Sequence, residues 1–136
     1  MNRYEAVNMA EDFIRRFDPL IIRANFVGSF VRDHPTVNDV DILLICKRKI
    51  CHGPPLNLFY TTELDWSNAI MHWAIGKAII QYKIRAKSFG YKLSVHGLYR
   101  GNKLIASDAR EICNLLKKPF PPVAAKVLDT GFGKLK

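Results

Sequence analysis

The segment that most constrains the fold is Asp39–Ile45, which reads Asp-Val-Asp-Ile-Leu-Leu-Ile. In a β-strand, residues two apart point to the same face of the sheet. Val40, Ile42 and Leu44 would therefore occupy one face, and Leu43 and Ile45 the other. A strand that is apolar on both faces is typical of the centre of a sheet with packed layers on both sides. The segment predicts a central strand in an α+β domain.

Asp39 and Asp41 stand two residues apart at the start of this strand. Their carboxylates would point to the same spot and repel each other unless a cation lay between them. Hard divalent ions such as Mg²⁺ take oxygen ligands of this kind. A lone Asp-x-Asp is also typical of a solvated strand end, so the pair alone does not establish a metal site.

A glycine turn precedes the carboxylates. Leu20–Val27 is predicted to be a strand, and Gly28-Ser29 would turn it into a short helix. Backbone N–H groups at such a turn attract phosphate, and glycine allows close approach. Arg32 would add a charge-assisted contact. A Gly-Ser pair is usually only a turn, but followed by an arginine and Asp-x-Asp it indicates a metal–nucleotide site.

This order of motifs resembles the polymerase beta superfamily of nucleotidyltransferases, and specifically the family X DNA polymerases. Gly28, Ser29 and Arg32 match the phosphate-binding positions, Asp39 and Asp41 match the metal ligands, and Val31 stands where a second arginine is common. The resemblance implies a palm domain built on a mixed sheet with helices. It also implies two-metal transfer of a nucleotide, with two Mg²⁺ ions or Mn²⁺ as a substitute.

The chain departs from the family at its third carboxylate. In family X an aspartate on a neighbouring strand stands between apolar residues, and the matching tripeptide on the predicted strand 56–61 is Leu56-Asn57-Leu58. Asn57 is thus the expected third catalytic and metal-binding position. Asparagine keeps the shape of aspartate but lacks its charge. The sequence leaves open a weakened native site, a deliberately inactive variant, or the absence of catalysis.

A second part of the resemblance lies between residues 72 and 87. An aromatic pair, a glycine turn and a helix that ends in Arg-Ala open the nucleotide-binding subdomain of the family. The resemblance implies nucleotide contacts from His72, Trp73, Gly76 and Gln81, and DNA contacts from Lys77, Arg85 and Lys87.

Hydrophobic periodicity and turn residues divide the rest of the chain. We expect an amphipathic helix over 3–17, a strand over 66–73, and a helix over 77–89. A strand over 91–99 should turn back through 103–106, and Asp108 should cap a further helix. The predicted units are a palm at 1–65, a small α/β C-terminal subdomain at 66–122, and a flexible basic tail at 123–136.

Composition favours a polyanionic partner. The chain has 136 residues and a net charge of +9, with 21 Lys and Arg against 12 Asp and Glu. No stretch is long and apolar enough for a membrane span, and the polar N-terminus does not resemble a signal peptide. We expect an intracellular monomer in the cytoplasm, nucleoid or viral replication site. The three cysteines are odd in number and irregularly spaced, so they are expected to be reduced. Cys46, Cys51 and His52 lack a second ligand pair for a zinc site.

The resemblance to family X implies a template-directed DNA polymerase that adds dNTPs to primed or gapped DNA, for short-gap filling in DNA repair. Two alternatives remain open at this stage. The first is a small nucleotidyltransferase that modifies a protein, tRNA or drug. The second, suggested by Asn57, is a non-catalytic protein that binds DNA or nucleotides.

Overall fold

The computed structural model describes residues 1–32 and 34–130, except for the side chain of residue 130. Within these residues the chain forms five α-helices and six β-strands in two sheets. The helices are α1 Arg3–Arg16, α2 Trp66–Ile75, α3 Ile79–Ser88, α4 Ala109–Leu116 and α5 Pro122–Thr130. The strands are β1 Ile21–Val27, β2 Val40–Cys46, β3 Leu56–Tyr60, β4 Lys92–Ser94, β5 Gly97–Arg100 and β6 Lys103–Ala106.

The first sheet has the order β1-β2-β3, so β2 is central, as predicted. It is mixed, because β2 pairs antiparallel with β1 and parallel with β3. Each face of β2 is covered by its own hydrophobic cluster. Val40, Ile42 and Leu44 pack with the buried face of α1, while Leu43 and Ile45 pack with α2, α4 and α5. The alternation predicted from the sequence is confirmed.

One continuous core joins the predicted palm to the predicted C-terminal subdomain. Val27 and Leu43 from the first sheet lie in the same buried cluster as Ile70 of α2, Leu98 of β5 and Ile112 of α4. The second sheet, β4-β5-β6, is antiparallel throughout. The predicted boundary after residue 65 therefore lies within one shared hydrophobic core, and the division into two subdomains stays a prediction.

The prediction of a strand over 66–73 is wrong, because Trp66–Ile75 is helix α2. Trp66, Ala69, Ile70 and Ala74 are all buried, and their spacing of three and four residues is that of one helix face. Gly76 follows the helix with a φ of 60° and a ψ of −129°, a conformation that favours glycine because a side chain would be strained there.

Two further predictions need correction. The single strand over 91–99 is divided into β4 and β5, which pair antiparallel around a turn, with Ser94 opposite Gly97. The predicted flexible tail is helical as far as residue 130, and Ala124 and Val127 of α5 are buried in the shared core. The rest of that tail, 131–136, lies outside the described residues.

Other predicted elements are confirmed. These are α1, α3 followed by Gly90, the β5–β6 hairpin, and α4 with the Asp108 side chain accepting a hydrogen bond from the Glu111 backbone N–H. None of the helices in the described ranges combines the length and apolar character needed to cross a bilayer. The three cysteine thiols are free.

Candidate active site

Strand register brings Gly28, Asp41 and Asn57 to one corner of the first sheet. Asp41 lies opposite Val27 of β1 and opposite Asn57 of β3. The Asn57 side-chain amide donates a hydrogen bond of 3.0 Å to Asp41 Oδ1. The residue at the predicted third carboxylate position is therefore beside the second aspartate.

Gly28 is constrained in two ways at this corner. It is buried and begins a 3₁₀ helix, Gly28–Arg32, with a φ of 72° that is costly for any residue with a side chain. A Cβ built on Gly28 would also overlap the Asp41 carboxylate. Glycine is needed here so that the turn can form directly against Asp41.

The corner opens into a polar cavity of about 320 Å³. The carboxylates of Asp39 and Asp41 share this cavity with Ser29 and Asn57. Its remaining wall is the loop that precedes β2. The loop contributes His34, Thr36, Val37 and Asn38.

Residues at the start of the chain hold this loop wall in place. The Val37 backbone N–H donates to the Met1 carbonyl at 3.0 Å, and Asn2 forms a β-bridge with Thr36. Arg3 Nη1 donates to the carbonyls of Phe30, at 2.7 Å, and His34, at 3.0 Å. Sequence reasoning missed Arg3. The sequence does carry one signal for it. Arg3 lies in the first turn of a helix, where a positive charge is unfavourable, so its presence suggests that the side chain has a partner outside the helix.

Burial, and to a smaller degree the neighbouring Asp39 carboxylate, disfavour the charged form of Asp41. Burial raises the pKa of the Asp41 carboxyl above its usual range, and the nearby charge of Asp39 adds to this. The Asn57 hydrogen bond and the charge of Arg32 oppose the rise without cancelling it. A divalent cation would relieve this repulsion, and two carboxylates with an amide oxygen form a hard donor set. Within 1–32 and 34–130, no three His, Cys, Asp or Glu side chains converge on a possible metal site.

Arg32 connects the corner to the second subdomain. Its Nη1 donates to the Ala74 carbonyl at 3.2 Å, near the C-terminal end of α2. The guanidinium also lies against Gly76, where an added Cβ would be 3.1 Å from Nη1. The predicted phosphate-binding arginine thus lies between Asp41, whose pKa it affects, and the end of α2.

Trp73 lies close to the corner, whereas His72 is turned into the protein. The Trp73 ring stacks on Phe59 with centroids 4.1 Å apart and remains 39% exposed. Phe59 shares a face of β3 with Asn57, because the two are two residues apart. His72 Nδ1 lies 2.9 Å from the Asn68 carbonyl, and burial lowers the pKa of its imidazole.

The predicted DNA-binding helix is α3. Lys77, Gln81 and Lys87 are exposed, Lys77 lying just before the helix starts. Arg85 has partners inside the protein: its Nε donates to the Leu116 carbonyl at 2.9 Å and its Nη2 to the Lys117 carbonyl at 3.4 Å. These carbonyls end α4 and have no partner within that helix. Arg85 therefore has a structural role, and its contact with DNA stays a prediction.

No family model and no curated protein matches the sequence. Solved structures do match the fold. A ternary P/T complex of Leishmania infantum polymerase beta aligns with a TM-score of 0.71 and 13% identity, covering 91% of this chain and 75% of that one. A ternary gap complex of the same polymerase aligns with a TM-score of 0.67 and 12% identity, covering 91% and 69%. The chain has a polymerase beta-like α+β fold.

Proposed function

We propose that this protein is a template-directed DNA polymerase of the family X type, transferring a nucleotide from a dNTP to a primer 3′-hydroxyl. The observation that carries the proposal is the corner where Ser29, Asp39 and Asp41 line one cavity, with Gly28 directly against the Asp41 carboxylate. A polymerase beta-like fold over 91% of this chain supports it. The net charge of +9 is consistent with a nucleic acid partner.

Each corner residue has a role in this proposal. Asp39 and Asp41 hold Mg²⁺, and the backbone at Gly28 and Ser29 approaches the terminal phosphates. Arg32 contacts the same phosphates from the side of α2. When bound, Mg²⁺ neutralises charge on the triphosphate and favours loss of the primer hydroxyl proton.

Asn57 limits the proposed activity. Its side chain donates a hydrogen bond to Asp41 Oδ1, where a third aspartate would add negative charge. A cation bound at the primer hydroxyl would therefore have one negatively charged ligand fewer than in a site with aspartate at position 57. We expect normal binding of DNA and Mg–dNTP with slow transfer.

The test is single-turnover extension of a gapped primer by the protein and by its Asn57→Asp variant. The aspartate form should be faster by at least about tenfold, or roughly 1.4 kcal/mol in barrier, with little change in dNTP affinity. Mn²⁺ should partly rescue the asparagine form. If the aspartate form gains nothing in either metal, the proposed role of Asn57 is wrong.

Asn38→Asp is the matched control. Asn38 lines the same cavity, so the control adds the same charge away from β3. If the rate depends on a carboxylate beside Asp41, only Asn57→Asp should accelerate extension. Equal acceleration by both variants would indicate a general effect of cavity charge.

The Asn57–Asp41 hydrogen bond also favours one alternative function. The Asn57 amide occupies Asp41 Oδ1 and adds no charge, so the corner has one carboxylate fewer for transfer than for binding of Mg–dNTP. Such a protein would bind Mg–dNTP and gapped DNA in titrations. It would incorporate no nucleotide even as Asn57→Asp, and this outcome separates it from the polymerase.

A further inference from the structure

The two carboxylates of the corner are held in place to different degrees. Asp41 lies within β2, is paired with strands on both sides, and accepts a hydrogen bond from Asn57. Asp39 is exposed and comes just before β2 begins. Within 1–32 and 34–130, no side chain forms a hydrogen bond or an ion pair with its carboxylate. The position of the Asp39 carboxylate therefore depends on the loop that carries it.

The part of this loop nearest to Asp39 is attached to the residues before α1. Met1 and Val37 pair through their backbones, and Asn2 forms a bridge with Thr36. Val37 is also buried in the hydrophobic cluster that contains the inner face of α1, with only 3% of its surface exposed. The backbone that leads to Asp39 is thus anchored to the start of α1.

Arg3 attaches the other end of the loop. Its Nη1 donates to the Phe30 carbonyl within the 3₁₀ helix and to the His34 carbonyl within the loop, at 2.7 and 3.0 Å. The guanidinium also lies over the Phe30 ring, with Cζ 4.0 Å from the ring centre. Hydrogen bonds from a charged donor are stronger than those between neutral groups. One nitrogen therefore joins the turn that begins at Gly28 to the loop that leads to Asp39.

We propose that Arg3 is a positioning residue, which fixes the loop so that the Asp39 carboxylate can share a cation with that of Asp41. The inference rests on the proposed function and deepens it, because it assigns the residue that places the first metal ligand. Arg3 acts through the loop backbone and is not among the described residues that line the cavity. A guanidinium suits this role because it keeps its proton and can stack on a ring while it donates to carbonyls.

The test measures Mn²⁺ binding to the protein without nucleotide or DNA, followed by the loss of the electron paramagnetic resonance signal of free Mn²⁺. Arg3→Ala should weaken binding by about tenfold, the usual size of the effect when a group that orients a metal ligand is removed. Electrostatics alone predicts the opposite direction, because removing a positive charge near an acidic cavity favours cation binding. The direction of the change therefore distinguishes positioning from a charge effect.

A second arm tests whether the effect passes through Asp39. Asp39→Asn keeps one oxygen ligand, so that weakened Mn²⁺ binding can still be measured. In this background Arg3→Ala should change the affinity by less than about twofold, because the carboxylate that Arg3 positions is already gone. If Arg3 only stabilised the fold, the two losses would be additive.

Three variants control for charge, stability and failure to fold. Arg15→Ala removes a positive charge from the exposed face of α1, where Arg15 pairs with Asp12, and should leave Mn²⁺ affinity unchanged. Asp108→Ala removes the cap of α4 and should lower the Tm without weakening Mn²⁺ binding. Arg3→Lys keeps the charge and one donating nitrogen on a shorter side chain. It should bind Mn²⁺ with intermediate affinity, and it tests the proposal if Arg3→Ala does not fold.

The outcomes separate failure of this inference from failure of the proposed function. Three results overturn the inference alone: unchanged or tighter Mn²⁺ binding by Arg3→Ala, an equal loss of binding in Asp108→Ala, or a full effect of Arg3→Ala in the Asp39→Asn background. In each case the unchanged protein still binds Mn²⁺, and its Asn57→Asp variant can still extend primers. If the unchanged protein binds no Mn²⁺, or if Asp39→Asn does not weaken binding, the proposed metal site fails and this inference fails with it.

Discussion

The corner of the first sheet and the α2–α3 segment differ in how their candidate residues are placed. At the corner, strand pairing determines the neighbours. Asp41 of β2 pairs with Asn57 of β3 and with Val27 of β1, and Gly28 directly follows Val27. In α2–α3 the candidates have partners from distant parts of the chain. Arg85 binds the end of α4, and Trp73 stacks on β3.

This difference shows for which residues a sequence motif predicts the contacts that the side chains make in the structure. A side chain near the start of a paired strand has its direction set by the pleat and its neighbours set by the register. A long side chain on a surface helix can reach several partners, so its position in the sequence does not determine its contact. Substitutions in the two regions should therefore have different effects, one on nucleotide binding and the other on stability.

The largest expected effect is that of Gly28→Ala. Forcing a side chain to adopt a φ of 72° should cost about 1–3 kcal/mol of stability, and the new Cβ should displace the Asp41 carboxylate. We expect Mg–dNTP affinity to fall by up to roughly a hundredfold, because a displaced Asp41 carboxylate loses a charge-assisted contact of about 1.5–3 kcal/mol. Calorimetric titration with dNTP and thermal unfolding measure the two effects.

Gly90→Ala is the control for Gly28→Ala. Gly90 has a similar φ of 79°, and no atom lies within 4 Å of an added Cβ. It should lose similar stability and keep dNTP affinity. Equal loss of affinity in both variants would mean that the Asp41 contact at Gly28 does not matter.

Arg32→Ala tests the residue that joins the two regions. A charge-assisted hydrogen bond to phosphate contributes about 1.5–3 kcal/mol, so dNTP affinity should fall roughly tenfold to a hundredfold. Arg32→Lys keeps the charge without the planar fork and should show an intermediate loss. If dNTP titrations give unchanged affinity for both, Arg32 serves only to hold the Ala74 carbonyl.

Arg85→Ala and Lys87→Ala should separate structure from DNA binding within α3. Loss of Arg85 leaves the carbonyls that end α4 without their donor and should cost about 1 kcal/mol in the free energy of unfolding. Lys87 is exposed, and its replacement should weaken DNA binding without changing stability. Urea unfolding and anisotropy on gapped DNA measure the pair, and equal stability of the two variants would contradict the structural role of Arg85.

The smallest effect concerns His72 and pH. Burial lowers the pKa of His72 below its ordinary value of 6.5, so the folded protein binds this proton less readily than the unfolded chain. Stability from this group is complete above pH 6.5 and is lost as the pH falls through the lowered pKa. The decline should be less than about 1.4 kcal/mol per pH unit. His72→Leu should reduce the difference between the free energies of unfolding measured in urea at pH 7.5 and at pH 5.5. The same difference in the variant and in the unchanged protein would contradict this role of His72.

Several features were predictable from the sequence because they depend on local chemistry. The alternation of Asp41 to Ile45 predicted a central strand covered on both faces, and the structure confirms it. The polymerase beta-like fold and the position of Asn57 next to Asp41 also agree with the motifs. The assignments of metal, nucleotide and DNA to these residues remain proposals.

The helix α2 was not predicted because its apolar residues also suit a strand. Trp66 and Ile70 are common in buried strands, and only burial of one helical face against the first sheet decides between the two. The tail was predicted to be flexible because its sequence has no clear periodicity and contains several glycines and lysines. Ala124 and Val127 look unremarkable in isolation, and the core formed by distant elements is what stabilises α5.

By itself, the sequence determined the elements whose cause lies within a few residues: the strand with its carboxylates, the glycine turn, and the cap of α4 at Asp108. Only the tertiary structure decided which side chains are already occupied. Arg3, Arg32 and Arg85 each donate to carbonyls at least 27 positions away in the chain. Such a hydrogen bond forms only where the fold brings two distant segments together, and a local sequence pattern does not predict which segments these are.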